Sequence, residues 1–412
     1  MAKTPGLQPR RAALKMLDAV LRRGETLEQA GGAANGLGNP SDRALARAIA
    51  GEVLRWLVDF DALIDSATSK TLPDDAKARM VLRMMLAQWL RLETPPHAVV
   101  ATALPLLDGG PKRLAHGVFA TLTRQDAKLP DNPALPDAVM MRWGEWAEAI
   151  ASGLAVPPPL DLTVKDHEKT DEWAEKLGGE SLYPGHLRLQ RGTAVEKLPG
   201  YEQGAWWVQD LAAMIAPRLC GEGKGQALDL CAAPGGKTMA LASAGWQVTA
   251  LDNNARRMLR LRENLARTRL EAKTVIADAL EWEPDEKFDV ILLDAPCTAT
   301  GTARRHPEVV HRIGPRQIAE MADIQRTIIT RAVKWLAPGG TLVYAVCSLE
   351  TGEGEDQARW IDGEFGLTPL PVGNTELPEA LEPTSEGWVR THPGMLPENG
   401  GLDGFFIARW TK

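Results

Sequence analysis

The chain has 412 residues, of which 44% are hydrophobic and 25% charged, with a formal net charge of -7, ordinary values for a soluble globular protein. That length accommodates roughly two to four domains of about 100 to 200 residues, and no run approaches the ~18 uninterrupted apolar residues of a membrane span. The acidic balance argues against a broad surface for coating nucleic acid, so any such contact must use local basic patches.

Met1 to Arg11 carries basic and proline residues without the apolar centre of a secretion signal, so a cytoplasmic location is expected. From Gln8 to about Arg124 the apolar period is helical. Leu14, Leu17 and Leu21 share one face, and Leu45, Ile49, Val53 and Trp56 share another after the cap candidate Ser41. Further helices are expected at Lys77 to Leu92, His97 to Leu107 and Pro111 to Leu122. The zone 1–130 therefore reads as an all-α domain. Arg10, Arg11, Arg22, Arg23, Arg43, Arg47, Lys112, Arg113 and Arg124 are positions at which it can meet phosphates; a solvated helix surface is an equally good reading for any one of them.

Prolines and polar residues from Lys128 to Pro136, and again at Pro157-Pro158-Pro159, interrupt the pattern. Between them, Met140 to Leu154 reads as a short helix with Trp143 and Trp146. A strand at Leu160 to Val164, a helix at Asp171 to Leu177 and an extended stretch near His186 to Gln190 follow. The zone 131–203 is thus a small α/β connector.

From residue 204 to the end, strands and helices alternate, which favours a parallel sheet covered on both faces. The strands are Ala227 to Leu230, Gln247 to Leu251, Thr274 to Ala277, Val290 to Leu293 and Thr341 to Val346, with two more at Trp388 to Thr391 and Phe405 to Trp410. Helices are expected at Lys237 to Ala244, Asn254 to Thr268 and Pro315 to Leu336.

Open sheets of this kind bind ligands beyond the carboxyl ends of their strands. There lies Cys231-Ala232-Ala233-Pro234-Gly235-Gly236-Lys237-Thr238, whose small residues admit a close ligand and whose helix start offers free N–H groups. Asp252 ends the second strand, where a carboxylate accepts hydrogen bonds from ribose hydroxyls, and Asp278 ends the third, in reach of a base. A glycine turn followed by an acid after each of the next strands reads as a site for a nucleoside cofactor. Gly236-Lys237-Thr238 matches the end of a nucleotide-triphosphate loop, but the first glycine of that loop would fall at Cys231. An NTPase is the lesser reading; S-adenosylmethionine suits a tight turn plus acids better.

Four cysteines, at 220, 231, 297 and 347, form no CxxC pair and have no histidine at zinc-finger spacing, so neither a metal site nor a disulfide framework is expected. Cys297, in Asp294-Ala295-Pro296-Cys297, and Cys347, in Ala345-Val346-Cys347-Ser348, each close an apolar strand-like run at the ligand edge. Burial as small hydrophobes is the ordinary fate of intracellular cysteines, and it suffices for Cys220.

These segments, with Arg304-Arg305-His306-Pro307-Glu308 and Asp403-Gly404-Phe405-Phe406, appear in the order seen in the Sun-type, RsmB-like RNA cytosine-5 methyltransferases, which the chain resembles. Ser41-Asp42-Arg43-Ala44-Leu45, Gly51-Glu52-Val53-Leu54-Arg55-Trp56 and Gly117-Val118-Phe119-Ala120 resemble the NusB-like RNA-binding domain that precedes the catalytic part in bacterial members. The resemblance implies a NusB-like all-α domain, the connector, and a Rossmann-like catalytic domain over 204–412. It implies S-adenosyl-L-methionine held by residues 231–237 (Cys231, Ala232, Ala233, Pro234, Gly235, Gly236 and Lys237) with Asp252, Asp278 and Asp294. The implied partner is RNA, ribosomal and of the small subunit by preference, and the implied product is 5-methylcytosine. The protein is expected to act as a monomer.

Chemistry gives two thiols a reason. Carbon 5 of cytosine is a poor nucleophile until a thiolate adds at carbon 6, and cysteine both attacks and leaves readily. A carboxylic acid at Asp294 is placed to stabilise charge at ring nitrogen 3. The resemblance implies Cys347 as nucleophile and Cys297 as the residue that assists release. DNA cytosine-5 methyltransferases attack with the Pro-Cys cysteine, so chemistry alone leaves the opposite assignment open.

Arg304, Arg305 and His306, in a loop after Cys297, are expected to contact phosphate. Arg256 and Arg257 begin an arginine-rich helix that reads equally as an RNA track or a solvent face. Trp206 and Trp207 are positioned to stack on bases, with core packing the expected fate of at least one. Gln209-Asp210 resembles a family segment close to the cofactor's methionine portion. Two departures are visible: Val346 stands where the family usually has Thr, and Glu308-Val309-Val310-His311 lacks a basic residue until Arg312.

Overall fold

A computed structural model describes residues 6–412; the first five residues, part of the segment read above for a targeting signal, lie outside it. The chain forms two compact units, Met1–Val156 with Ala303–Arg312, and Pro157–Thr302 with Ile313–Lys412. The single helix read at Met140 to Leu154 and placed in the connector is two, Asp137–Trp143 and Ala147–Leu154, and both belong to the first unit.

The first unit is all helix. Helix Leu7–Arg23 buries Ala13, Met16, Leu17 and Val20 at helical spacing, and these meet Ile49 and Val53 of helix Pro40–Arg55. This helix starts two residues earlier than expected: Asn39, not Ser41, is the cap, its side chain accepting the Ser41 N–H ahead of a first-turn proline. Lys77–Leu86, Pro96–Ala103 and Gly109–Arg124 complete the core around Phe60, Leu82, Met85 and Phe119. Most of the arginines read as candidate phosphate contacts lie outside, but Arg10 does not. It is buried, with Nε donating to Gln88 Oε1 at 2.7 Å, because its neighbours on the helix face are core residues.

The segment Ala303–Arg312, although it comes from the C-terminal half of the chain, belongs to this helical unit. Val309 and Val310 are buried, Glu308 accepts the Leu27 N–H at 2.9 Å, and His311 Nε2 lies 2.6 Å from Leu54 O. That packing accounts for the apolar departure noted after Pro307: these positions face a helical core.

In the second unit β1 (Leu160–Val164), β2 (His186–Leu189) and β3 (Trp206–Val208) form a small antiparallel sheet in the order β2-β1-β3. Leu162, Val164, Leu187, Leu189 and Trp206 make its core. Asp161 is buried on the other side, held by Arg188 Nε and Nη2, each at 2.7 Å, and accepting the Leu211 N–H at 3.1 Å, which ties this sheet to the helix at Leu211–Arg218.

The large sheet contains β4 (Gln226–Leu230), β5 (Gln247–Asp252), β6 (Lys273–Ile276), β7 (Phe288–Asp294), β8 (Leu336–Val346), β9 (Thr368–Pro369), β10 (Val389–Thr391) and β11 (Phe405–Thr411). Its order is β10-β11-β8-β7-β4-β5-β6, with β9 on β11. Strands β4 to β8 pair in parallel, joined by helices such as Gly236–Ser243, Ala255–Thr268 and Pro315–Trp335, as the sequence suggested. The parallel sheet favoured by the sequence carries an antiparallel edge: β11 runs antiparallel to β8 and β10 antiparallel to β11, the last two joined by a loop without a crossover helix. Leu228, Leu293 and Tyr344 fill one face, and Ala227, Leu292 and Val343 the other. Strand order reverses about β4, with β5 on one side and β7 on the other, so a crevice opens where β4, β5, β7 and β8 end.

Candidate active site

Each of those four strands delivers a polar residue to the crevice. Cys231 leaves β4 in the left-handed region (φ 61°), and the turn continues to Gly235 (φ 106°) before helix Gly236–Ser243 begins. Only glycine suits that second position, since a Cβ would sit 2.8 Å from Leu261 Cγ. Asp252, at the end of β5, accepts the Ala233 N–H at 3.2 Å and the Asn254 N–H at 2.8 Å, so it shapes the turn as well as facing it. Arg257 lies 3.8 Å from Asp252 and donates to Ala233 O, which makes it a brace of the turn rather than a free surface cation. Arg256 is exposed, and Asp278 lies exposed beyond β6.

Beneath the turn, Asp229 is fully buried. Thr238 Oγ1 donates to its Oδ2 at 2.5 Å, while Oδ1 has no hydrogen-bond partner among the described residues. Burial pushes this carboxyl up to about 7, Thr238 opposes the shift, and Asp294 adds to it. Lys237 Nζ reaches across to Asp294 Oδ2 at 2.7 Å and lies 5.3 Å over the Phe405 ring. Burial pulls the Lys237 amine down, but Asp294 and then Cys347 outweigh it, and the net shift is upward. Thr238 and Lys237 are thus occupied by carboxylates, and the crevice is ringed by acids. That electrostatics opposes a triphosphate and removes the NTPase reading.

The two thiols meet. Cys297 Sγ and Cys347 Sγ are 3.5 Å apart, both part-buried, on loops that follow neighbouring parallel strands. The Cys297 thiol is pushed well above its ordinary value, first by its hydrogen bond to Cys347 and then by burial. The loops are laced together: Gly301 N–H donates to Cys347 O at 3.0 Å, and Gly404 N–H to Gly301 O at 2.8 Å. Gly301 must be glycine, because a Cβ there would lie 1.9 Å from Gly404 O. The Asp403-Gly404-Phe405-Phe406 segment is therefore a backbone prop for the cysteine loop. Val346, the departure beside Cys347, is fully buried in an apolar cluster with Phe406, an environment that has no use for a hydroxyl.

Gln209 and Asp210 stand next to the turn but serve structure. Gln209 Oε1 accepts from Trp207 Nε1 at 2.8 Å and from Thr163 Oγ1 at 3.0 Å, and Asp210 Oδ1 accepts from the Asp403 N–H at 3.1 Å. Trp206 and Trp207 are 0% and 2% exposed, so neither stacks on a base. Arg304 is a further correction. It is 1% exposed inside the helical unit, its carbonyl bonded to Arg55, so its guanidinium does not face a phosphate; Arg305 and His306 are half-buried. Sequence reading also passed over Glu353, which bridges the two cysteine loops. It sits among several acids, and nothing in the one-dimensional pattern sets it apart.

The crevice fits an S-adenosylmethionine: the glycine cradle suits a tight approach, the orphaned Asp229 oxygen an ammonium, and Asp252 ribose hydroxyls. Residues 218–411 match the family described as 16S rRNA methyltransferase RsmB/F, and residues 7–109 match the NusB family. The chain is 32% identical, over 97% of its length and 97% of the relative's, to ribosomal RNA small subunit methyltransferase B of Erwinia tasmaniensis. It belongs to the RsmB/F family. In fold it is similar to PH0851 (TM-score 0.74, 21% identity, covering 100% of this chain and 99% of that one). It is also similar to NSun6 from Pyrococcus horikoshii with SFG (TM-score 0.58, 21% identity, covering 67% of this chain and 98% of that one). As in the sequence expectation, the RsmB/F catalytic part follows a NusB-like helical part. Among the described residues no helix is long and apolar enough to cross a membrane.

Proposed function

We propose that this chain transfers a methyl group from S-adenosylmethionine to carbon 5 of a cytosine in small-subunit ribosomal RNA, with Cys347 as nucleophile and Cys297 assisting release. The observation that supports a two-thiol site is the 3.5 Å contact of the two sulfurs beside the acid-ringed glycine turn; the order of the two roles rests on the family resemblance. The cofactor supplies a methyl group on a sulfonium centre. The turn from Cys231 to Lys237 would hold it, with Asp229 available to its ammonium, Asp252 to its ribose hydroxyls and Asp278 to its base.

The target base must leave its stack to reach the crevice. Cys347 Sγ, ionised, bonds to carbon 6, which makes carbon 5 electron-rich. Asp294, ion-paired to Lys237, accepts from the exocyclic amine of cytosine, and the Lys237 ammonium is the donor for the charge that develops at nitrogen 3. This changes the acid role first given to Asp294: an ion-paired carboxylate accepts rather than donates. After methylation the proton on carbon 5 passes to the Cys297 sulfur acting as thiolate, the C–H electron pair forms the C5–C6 double bond, and the bond from carbon 6 to Cys347 breaks to return the Cys347 thiolate. Cys297, beside the sulfur that departs, assists that elimination.

The test uses S-adenosylmethionine labelled in its methyl group and small-subunit ribosomal RNA, with nucleoside analysis of the product. Label in 5-methylcytosine, lost in Cys347→Ala while labelled cofactor still binds, is expected. Undiminished transfer by Cys347→Ala would overturn the assignment of the nucleophile.

A further inference from the structure

We propose that Glu353 is a positioning residue that fixes the two active-site sulfurs relative to one another. This rests on the cysteine roles given above. Glu353 is 0% exposed, and its carboxylate is shared between the residues that directly follow each cysteine. Thr298, next to Cys297, donates its N–H to Oε1 at 2.9 Å and its hydroxyl to Oε2; Ser348, next to Cys347, donates its hydroxyl to Oε2 at 2.5 Å. One side chain thus bridges the loop after β7 and the loop after β8, immediately behind the sulfurs.

The bridge is itself braced. Gln325, on helix Pro315–Trp335, donates to Glu353 Oε1 at 3.1 Å and to Pro296 O at 2.9 Å, so it grips the residue before Cys297 as well. Tyr344 on β8 donates to Glu353 O at 2.6 Å. From the other side Arg390 donates to Ser348 O at 2.6 Å while its remaining nitrogens hold Glu355 at 2.9 and 2.6 Å. A buried carboxylate is costly to desolvate unless its acceptor sites are filled. Here four donors converge on its two oxygens, and three of those four belong to the residues after the cysteines.

A carboxylate is the group that fits this place. It only accepts, and every one of its neighbours offers a proton. Glutamine has one acceptor oxygen and a donor amide, so its amide must turn toward the two hydroxyls, which can reverse their bonds, and two of the four contacts weaken. Alanine removes the bridge and leaves the Thr298 N–H without its acceptor.

The experiment compares Glu353→Gln, Glu353→Ala and wild type in single-turnover methyl transfer, with separate measurements of cofactor and RNA affinity and of melting temperature. Glu353→Ala is expected to lower the transfer rate about 100-fold, the scale of a misplacement near 1 Å, with both affinities within about twofold. Glu353→Gln, isosteric and able to keep half the bonds, is expected to lower the transfer rate by an intermediate amount, about three- to tenfold. A transfer rate within about threefold of wild type in Glu353→Ala would overturn the proposal. So would a loss that appears only in cofactor affinity. Should Glu353→Ala fail to fold, Glu353→Gln decides, and an unchanged rate in that variant overturns the proposal. Failure of the underlying reading is distinguishable, because it appears as retained transfer in Cys347→Ala whatever the Glu353 variants do.

Discussion

Asp229 is the residue at which stability and binding conflict most directly, and Asp229→Asn exposes the conflict. Its carboxyl is fully buried, hydrogen-bonded at one oxygen and orphaned at the other, and pushed up to about 7 from 3.8. A raised carboxyl binds its proton more tightly in the folded state than in the unfolded one. Its contribution is therefore fully present below about pH 4 and is lost as pH rises through about 7. Linkage over that shift gives about 2 to 3 kcal/mol lost between pH 5 and pH 8 from this group alone. Asparagine keeps an oxygen for Thr238 and does not ionise, so the variant lacks this slope. Urea unfolding of the catalytic unit at pH 5 and pH 8, followed by tryptophan fluorescence, measures it. The stability of Asp229→Asn relative to wild type should improve by about 2 to 3 kcal/mol from the lower to the higher pH. S-adenosylmethionine affinity should fall at the same time, because the charge that costs stability is the one offered to the ligand. A difference between variant and wild type that does not change with pH would refute the reasoning.

Other outcomes follow from the same geometry. Cys297→Ala should slow release and leave RNA attached to the protein, visible as a shifted band in a denaturing gel; a band that requires Cys297 and survives Cys347→Ala would reverse the two roles. Gly301→Ala places a Cβ 1.9 Å from Gly404 O, so the loop must move and methyl transfer should fall by about tenfold or more while cofactor affinity holds. Equal rates would mean that the loop yields without cost. Asp252→Asn should weaken equilibrium binding of S-adenosylmethionine by about tenfold, the scale of one charge-assisted hydrogen bond, and isothermal titration reads it directly. Arg256→Ala should weaken RNA binding and reduce its salt dependence by about one counterion, whereas Arg304→Ala should instead lower the melting temperature, since Arg304 is buried.

The sequence by itself determined the architecture and the chemical groups. Helical period in the first zone, alternation of strand and helix in the last, and the break at the prolines each follow from local rules: which face is apolar, where a chain can cap or turn. The residues at the crevice were legible for a related reason. A site at the carboxyl ends of parallel strands is reached directly from the strand ends, so Cys231, Asp252, Asp294 and Cys347 announce themselves by closing apolar runs. Only the tertiary structure decided which groups touch. It put Lys237 on Asp294, brought sulfurs 50 positions apart in sequence to 3.5 Å, turned Trp206, Trp207 and Arg304 inward, and set Glu353 behind both thiols. Long-range contacts and burial depend on how strands are ordered and helices docked. One-dimensional spacing carries that order only weakly, because a side chain's neighbours across a sheet are separated from it by whole elements of chain.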